Sequence, residues 1–169
     1  MKPEKIPLTL VTLLVIAVNS FAALCQNTDQ AIINSFIERQ AKGEKGEEYP
    51  DARKVVYGDL NHDGVPELVV LYTIEGQGGS NLYLQYLAVF TKKRDKLTFL
   101  ARADVGGKSR RAVELSAVER NAITLETLDY GPKDASCCPS LKGTTRYVLS
   151  GGRLLESKRR KTSAQTLSR

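Results

Sequence analysis

The hydrophobic pattern of this chain changes its period once, near residue 50. Residues Thr28 to Lys42 place apolar side chains three and four positions apart, which is the spacing of a helix with one buried face. Asn27 and Gln30 have the spacing of a capping box, and Gly43 is suited to end the helix. The sequence therefore predicts one N-terminal amphipathic helix. Its buried face consists of Ile32, Ile33, Phe36, Ile37 and Ala41.

After a polar Gly/Glu-rich link, Gly43 to Asp51, the chain becomes a series of short apolar or alternating runs separated by turn residues. This pattern predicts a mainly β protein, an antiparallel β-domain that is either a sandwich or a sheet like a propeller blade. Gly151–Gly152 fits a two-residue hairpin turn, because glycine readily adopts positive φ. The predicted strands are Lys54–Asp59, Glu67–Ile74, Leu82–Thr91, Leu97–Ala103, Ala112–Val118, Ala122–Asp129, Thr144–Ser150 and Leu154–Ser157.

One of these runs is apolar at almost every position. Leu84 to Phe90 lacks the alternation of a strand with one wet face, so we predict a central strand that is covered on both faces. The apolar face of the helix is the natural cover for one of them.

The N-terminus predicts export. Two lysines precede an apolar run, Leu8–Val18, which is too short to span a bilayer comfortably and is followed by small residues. Residues 1–25 are therefore predicted to be a signal peptide, cleaved after Ala22 or after Cys25, so that the mature protein is periplasmic or secreted and does not span a membrane. Anchoring as a lipoprotein through Cys25 is the alternative.

The formal net charge of +6 is concentrated at the ends of the chain. From Arg153 to the C-terminus there are six basic residues and one acidic residue, whereas Ile6–Gly152 is neutral overall. A nucleic-acid reader carries a basic stripe on its folded surface, so we predict no nucleic-acid partner. We expect residues 26–157 to form a single domain and residues 158–169 to be a disordered basic tail.

The segment from residue 59 to residue 67 carries the most specific chemistry. It has oxygen-bearing side chains at its first, third, fifth and ninth positions and a glycine at its sixth. A tight loop can fold every second side chain around one hard cation, and Gly64 permits the reversal that turns the next carbonyl inward. Three carboxylates in nine residues also repel one another unless a cation neutralises them. The predicted calcium ligands are Asp59, Asn61, Asp63, the Val65 carbonyl and Glu67.

The alternative is an acidic turn without metal, in which Asn61 and Asp63 make Asx-turns. His62, the only histidine of the chain, falls between ligand positions and is expected to point to solvent. The loop is not an EF-hand, because its twelfth position is Val70 and the residues that follow predict a strand.

The loop resembles the calcium loop of FG-GAP and VCBS-type repeats of extracellular β-proteins, written D-x-[DN]-x-D-G-x-x-[DE] before a hydrophobic strand. The resemblance covers Val55 to Ile74 and implies calcium as the cofactor. Together with the downstream D-x-x-C-C-P-S segment, Asp134–Ser140, the loop also resembles a set of small bacterial secreted or lipoprotein domains, which implies no activity. The loop and the β-character further resemble periplasmic calcium-loop inhibitors of lysozyme-like peptidoglycan hydrolases.

The cysteines leave three alternatives open. Cys137 and Cys138 are adjacent, so they can form a vicinal disulfide, link to a partner, or leave one of them bridged to a retained Cys25. The C-x-x-C spacing of a thioredoxin-like redox motif is absent from the sequence. We expect the pair to stiffen a loop.

The sequence contains no G-x-S-x-G elbow, no H-E-x-x-H helix and no glycine-rich loop before a helix. We therefore predict that the protein is not an enzyme but a calcium-binding module of the cell envelope. Its partner, an unknown protein or cell-wall component, is expected to contact the loops Glu75–Asn81 and Gly131–Gly143. The alternatives are a periplasmic inhibitor or immunity protein against a peptidoglycan hydrolase, and a hydrolase using carboxylates such as Asp129 and Asp134.

Overall fold

The computed structural model describes residues 28–94, 96–119, 121–135 and 137–157. The predicted signal peptide with Cys25, the capping residue Asn27 and the basic tail lie outside these residues. Within the described ranges the chain forms one helix, α1 (28–43), followed by nine strands of one antiparallel sheet. The predicted mainly β fold with one N-terminal helix is confirmed.

All eight predicted strands are present, and one further short strand precedes them. The strands are β1 Glu47–Glu48, β2 Lys54–Gly58, β3 Glu67–Glu75, β4 Tyr83–Lys93, β5 Lys96–Gly107, β6 Arg111–Glu119, β7 Ala122–Asp129, β8 Leu141–Ser150 and β9 Arg153–Ser157. β8 begins earlier than predicted because Gly143 already pairs with Thr127. A Cβ at residue 143 would lie 2.7 Å from the Thr127 hydroxyl, so the close pairing favours glycine there. Gly151 and Gly152 both have positive φ and form the predicted two-residue turn.

The link between α1 and β2 is more ordered than a plain polar connection. Glu48 of β1 pairs with Ile74, and Pro50–Ala52 form a short 3-10 helix. β1 and β2 therefore follow one another along the same edge of β3. The sequence prediction missed β1 because two glutamates do not read as a strand.

The sheet is an antiparallel meander that is nearly interrupted once. Each strand from β3 to β9 pairs with the next, but β5 and β6 share only the Gly107–Arg111 pair. At this corner the sheet folds over, and the half containing β1–β5 packs against the half containing β6–β9. The apolar cluster between the halves includes Val69, Leu71, Leu87, Val89, Val105, Val113, Leu115, Ile123, Leu125 and Tyr147. The arrangement is that of the sandwich alternative, and the described strands do not close into a barrel.

Helix α1 covers the outer face of the first half-sheet. The Phe36 ring centroid lies 5.2 Å from that of Phe90 and 6.3 Å from that of Tyr72, while Leu87 and Val89 face the inner cluster. The prediction that the helix covers one face of a doubly buried strand is confirmed. Among the described residues, no helix is long and apolar enough to cross a membrane.

A side-chain amide replaces the missing ladder at the β5–β6 corner. Val113 N donates to Gln85 Oε1 at 2.9 Å, and Gln85 Nε2 donates to the Val113 carbonyl at 3.1 Å. Gln85 thus offers Val113 the donor and acceptor of a neighbouring strand. Gly106 leaves the space for it, since a Cβ there would lie 2.9 Å from Gln85 Oε1.

Arg111 connects β9 to the same corner through side-chain hydrogen bonds. Its Nε donates to the Val105 carbonyl at 2.6 Å, and its two terminal nitrogens donate to the Glu156 carboxylate at 2.9 and 3.2 Å. The second nitrogen also donates to the Tyr147 hydroxyl at 2.9 Å. Because the Arg111 hydrogen bonds favour the ionised form, the pKa of Glu156 is lowered to about 2. One guanidinium therefore links β5, β6, β8 and β9.

We predict that Gln85→Leu lowers the free energy of unfolding by about 2 kcal/mol, because the substitution leaves the Val113 N–H and carbonyl without their partner. Gln85→Glu keeps an acceptor for Val113 N but removes the donor to the Val113 carbonyl. Its free energy of unfolding should therefore decrease less than that of Gln85→Leu. Urea titration of both variants measures the effect, and Thr98→Val on β5 serves as an exposed strand control. An unchanged unfolding midpoint in Gln85→Leu would show that the corner does not need this bridge.

Candidate functional site

The meander sorts the connections into two groups at opposite ends of the sheet, because each strand reverses the direction of the last. The acidic loop, residues 59–67, lies at the end where β3 begins and β4 finishes. The connections 76–82, 108–110 and 130–140, which we call the distal loops, lie at the other end. The candidate metal ligands and the candidate partner loops are therefore separated by the length of the strands.

The first half of the acidic loop is folded by Asp59. His62 N donates to Asp59 Oδ1 at 2.7 Å, and Gly64 N donates to Oδ2 at 3.1 Å. His62 is exposed, as predicted, with φ of 62°, and Gly64 has φ of 80°. Glycine is suited to that backbone conformation because it has no Cβ.

The second half is folded by two Asx-turns. Asp63 N donates to Asn61 Oδ1 at 2.8 Å, and Val65 N donates to Asp63 Oδ1 at 2.8 Å. Val65, predicted as a carbonyl ligand, thus enters this network through its N–H. These turns are the features that the metal-free alternative expects.

Glu67 differs from the other acidic residues because it is fully buried, with 0% of its surface exposed. Its Oε2 accepts from Leu60 N at 2.9 Å, and its Oε1 accepts from Thr91 Oγ1 at 3.3 Å. Leu60 itself is inserted into the inner apolar cluster. In the described part of the chain no basic side chain forms an ion pair with Glu67. A buried carboxylate with only neutral donors is a favourable ligand for a cation.

The Asn61 amide joins two of the carboxylates. Its Nδ2 donates to Asp63 Oδ2 and to Glu67 Oε1, in each case at 2.9 Å. The two oxygens therefore converge on one donor, and turning the amide would present its oxygen to the same point. However, no group of three or more His, Cys, Asp and Glu side chains is placed to hold a metal ion anywhere in the described ranges. The donor types fit calcium, and calcium binding stays a prediction.

Two of the distal loops, 76–82 and 108–110, are connected through Lys108. Lys108 N donates to the Tyr83 carbonyl at 3.0 Å, and Lys108 Nζ donates to the Asn81 carbonyl at 3.3 Å. Burial raises the pKa of Tyr83, the first residue of β4, and Tyr130 at the start of the third loop raises it further. An open groove of about 650 Å³ beside Tyr83 is lined by Lys45, Glu75, Asn81 and Leu82 among others.

The third distal loop is closed at its base by Asp134. Its Oδ2 accepts from Gly131 N at 2.7 Å and from Ser140 N at 2.9 Å, and its Oδ1 accepts from Ser140 Oγ at 2.9 Å. The Gly131 N–H and the Ser140 hydroxyl lower the pKa of the Asp134 carboxyl, because they hydrogen-bond to the ionised form. The loop ends at Ser140, and β8 begins at Leu141, so the loop does not extend to Gly143 as predicted.

The tip of this loop carries the cysteine pair. The structure joins Cys137 and Cys138 in a vicinal disulfide, the first of the three alternatives. Both residues are exposed, and Cys138 N donates to the Ala135 carbonyl at 2.9 Å. Asp129 and Asp134, the carboxylates considered for hydrolysis, both serve local structure: Asp129 Oδ2 accepts from Thr127 Oγ1 at 3.1 Å.

No protein-family model, curated protein or solved structure matches this chain. The resemblances of the acidic loop and of the Asp134–Ser140 segment are therefore carried by those residues alone.

Sequence reasoning missed two residues that organise these loops. Leu60 anchors the acidic loop by packing in the inner apolar cluster. The sequence could have indicated this role, because Leu60 is an apolar residue between the polar residues Asp59 and Asn61. Asp134 was noted as part of a segment, but no sequence rule links it to Ser140 six residues later. The contact depends on the path of the whole loop.

We predict that Asp134→Ala speeds amide exchange at Gly131 and Ser140 by about tenfold or more, because each N–H loses a charge-assisted hydrogen bond. The strands should keep their protection, and Lys133→Ala is the neighbouring control. In the wild type the same protection is present above the usual aspartate pKa of about 3.9 and is lost as the pH falls through the lowered pKa of Asp134. Amide exchange followed by NMR reads both effects, and unaltered exchange in Asp134→Ala would contradict them.

Proposed function

We propose that this chain is an exported, non-catalytic binding module of the cell envelope, stabilised by calcium at the acidic loop and contacting its partner with the distal loops. The observation that carries the proposal is the gathering of those loops. Residues 76–82 and 130–140 are far apart in sequence, and the antiparallel meander brings both to the same end of the sheet. Irregular loops on a fixed scaffold are the usual place for recognition.

The described part of the 130–140 loop supports binding because its base and its cysteine pair are held by contacts within the loop itself. Asp134 closes its base, and the Cys137–Cys138 bond fixes its tip. A loop that is already ordered loses less conformational entropy on association than a free one. A disulfide also agrees with an oxidising compartment, as the N-terminal sequence predicts.

The acidic loop supports calcium as the stabilising ion. The convergence of Asp63 and Glu67 on the Asn61 amide places two carboxylate oxygens within reach of one centre. Asp59, Asn61, Asp63, Glu67 and the Val65 carbonyl would hold the ion, which would place a positive charge beside the buried Glu67 carboxylate. Because Leu60 is packed in the inner cluster, an ion bound here would fix the start of β3 against the core.

We expect calcium to raise the free energy of unfolding of the EDTA-treated protein, by about 2.7 kcal/mol at a hundredfold excess over the dissociation constant. Asp59→Ala combined with Asp63→Ala should abolish this increment, and Asp51→Ala, an exposed aspartate outside the loop, should preserve it. The alanines also remove hydrogen bonds, so each variant is compared with itself before and after calcium. A wild-type melting temperature that EDTA and calcium leave unchanged would reduce the acidic loop to a turn.

The partner surface is tested with exposed leucines. Leu82→Asp and Leu141→Asp place charges at the distal loops and should weaken binding to the partner by about tenfold or more, since a buried charge at an interface is costly. Leu155→Asp is the matched control, because Leu155 is similarly exposed (49%, against 38% and 51%) but lies on β9.

Purified peptidoglycan and an immobilised lysozyme-like hydrolase are the two baits for this measurement. Retention on peptidoglycan identifies a wall binder, and retention on the hydrolase identifies the inhibitor alternative. Turnover of peptidoglycan that is lost on changing a carboxylate outside residues 59–67 would replace the binding module by a hydrolase.

A further inference from the structure

We propose that Cys137–Cys138 is a reversible thiol–disulfide modification site, whose reduction loosens the 130–140 loop and leaves the sheet intact. The first reason is topological. A disulfide stabilises a fold mainly by closing a chain segment, with an effect that grows with the length of the segment. Cys137 and Cys138 are neighbours and enclose no other residue. The bond is therefore a local restraint on the tip of the loop.

The second reason is access. Both cysteines are exposed, and neither belongs to an apolar cluster of the described residues. Exchange requires a thiolate to reach one of the two sulfurs, and nothing in the described part of the loop buries them. Structural disulfides that are meant to persist are usually buried or enclosed by the fold. This one is available to a reductant while the protein remains folded.

The third reason is that a separate contact keeps the loop attached. Asp134 binds Gly131 and Ser140 through hydrogen bonds that do not involve sulfur. Reduction would free the backbone at residues 137 and 138 and weaken the Cys138 N–Ala135 O bond. The base of the loop would stay closed, so the change is confined to the tip.

The reaction is a two-electron exchange with a dithiol. One thiolate of the dithiol attacks a cysteine sulfur and forms a mixed disulfide, which releases the other cysteine as a thiolate that takes up a proton. The second thiol of the reagent loses its proton and displaces the first cysteine. The dithiol leaves as a disulfide, and Cys137 and Cys138 are left as two thiols. An oxidising disulfide reverses the reaction.

Hydrogen exchange of the wild-type protein, oxidised and after dithiothreitol, tests the site without a partner. Reduction should speed exchange at Cys138 by about tenfold, the effect of losing one hydrogen bond, while strand amides of β7 and β8 keep their rates. The double variant Cys137→Ser/Cys138→Ser should match the reduced protein and ignore the reagent. A thiol-labelling reagent should modify neither Cys137 nor Cys138 before reduction and should modify both after reduction.

Equal exchange in the oxidised and reduced proteins would overturn the proposal. So would loss of protection across the sheet on reduction, because the bond would then hold the whole fold. A disulfide that is reduced only in denaturant would also overturn it. None of these results depends on calcium or on a partner, so the proposed binding function can fail while the redox site stands.

Discussion

The architecture depends on one near-break in the backbone hydrogen bonding of the sheet, between β5 and β6. Strands β5 and β6 share only the Gly107–Arg111 pair, and a sheet that kept its full ladder there would stay open and leave one apolar face in water. Breaking the ladder lets the second half turn back over the first and buries both inner faces in one cluster. Gln85 restores two of the hydrogen bonds that the break removes, so the corner bends without leaving Val113 unsatisfied.

This corner also determines where chemistry can occur. An antiparallel meander sends alternate connections to opposite ends, and folding it over gathers connections from both halves at each end. The acidic loop meets the core through Leu60 and Glu67, so it is coupled to packing. The 130–140 loop is held by contacts within itself, through the hydrogen bonds that Asp134 accepts from Gly131 and Ser140. The loop at one end is therefore tied to the core, whereas the 130–140 loop at the other end is held by contacts within itself.

The secondary structure followed from the sequence because it is encoded locally. Alternation and turn glycines placed eight strands, and β7 was predicted with both ends correct. Contacts that span the fold were not available to the same reasoning. The residues around Gln85 do not indicate that its amide will bind Val113, which lies 28 residues later. The residues around Arg111 likewise do not indicate its contact with Glu156, which lies 45 residues later.

The site was predictable in part for the same reason. Asp59, Asn61, Asp63 and Glu67 lie within nine residues, so a local pattern was enough to propose them as ligands. The structure buries Glu67, and calcium binding at this loop stays a prediction. The role of Asp134 depends on a loop path that no periodicity describes. Strand β1 was missed because its pairing with β3 is set by the return of the chain from α1, not by the preferences of two glutamates.

The position of Glu156 has a consequence for the order in which the fold can assemble. Every pairing of β2 to β9 joins strands that follow one another in the chain, so these hairpins form over short distances and at small entropic cost. Arg111, in contrast, gains its carboxylate partner only when β9 has formed, because Glu156 lies on that strand, 45 residues further along the chain. During synthesis β9 follows the strands β2 to β8, so the bond between Arg111 and Glu156 can form only after those strands have been made. Among the described strands, the Arg111–Glu156 contact is therefore the link at the corner that joins the residues most distant in the order of synthesis.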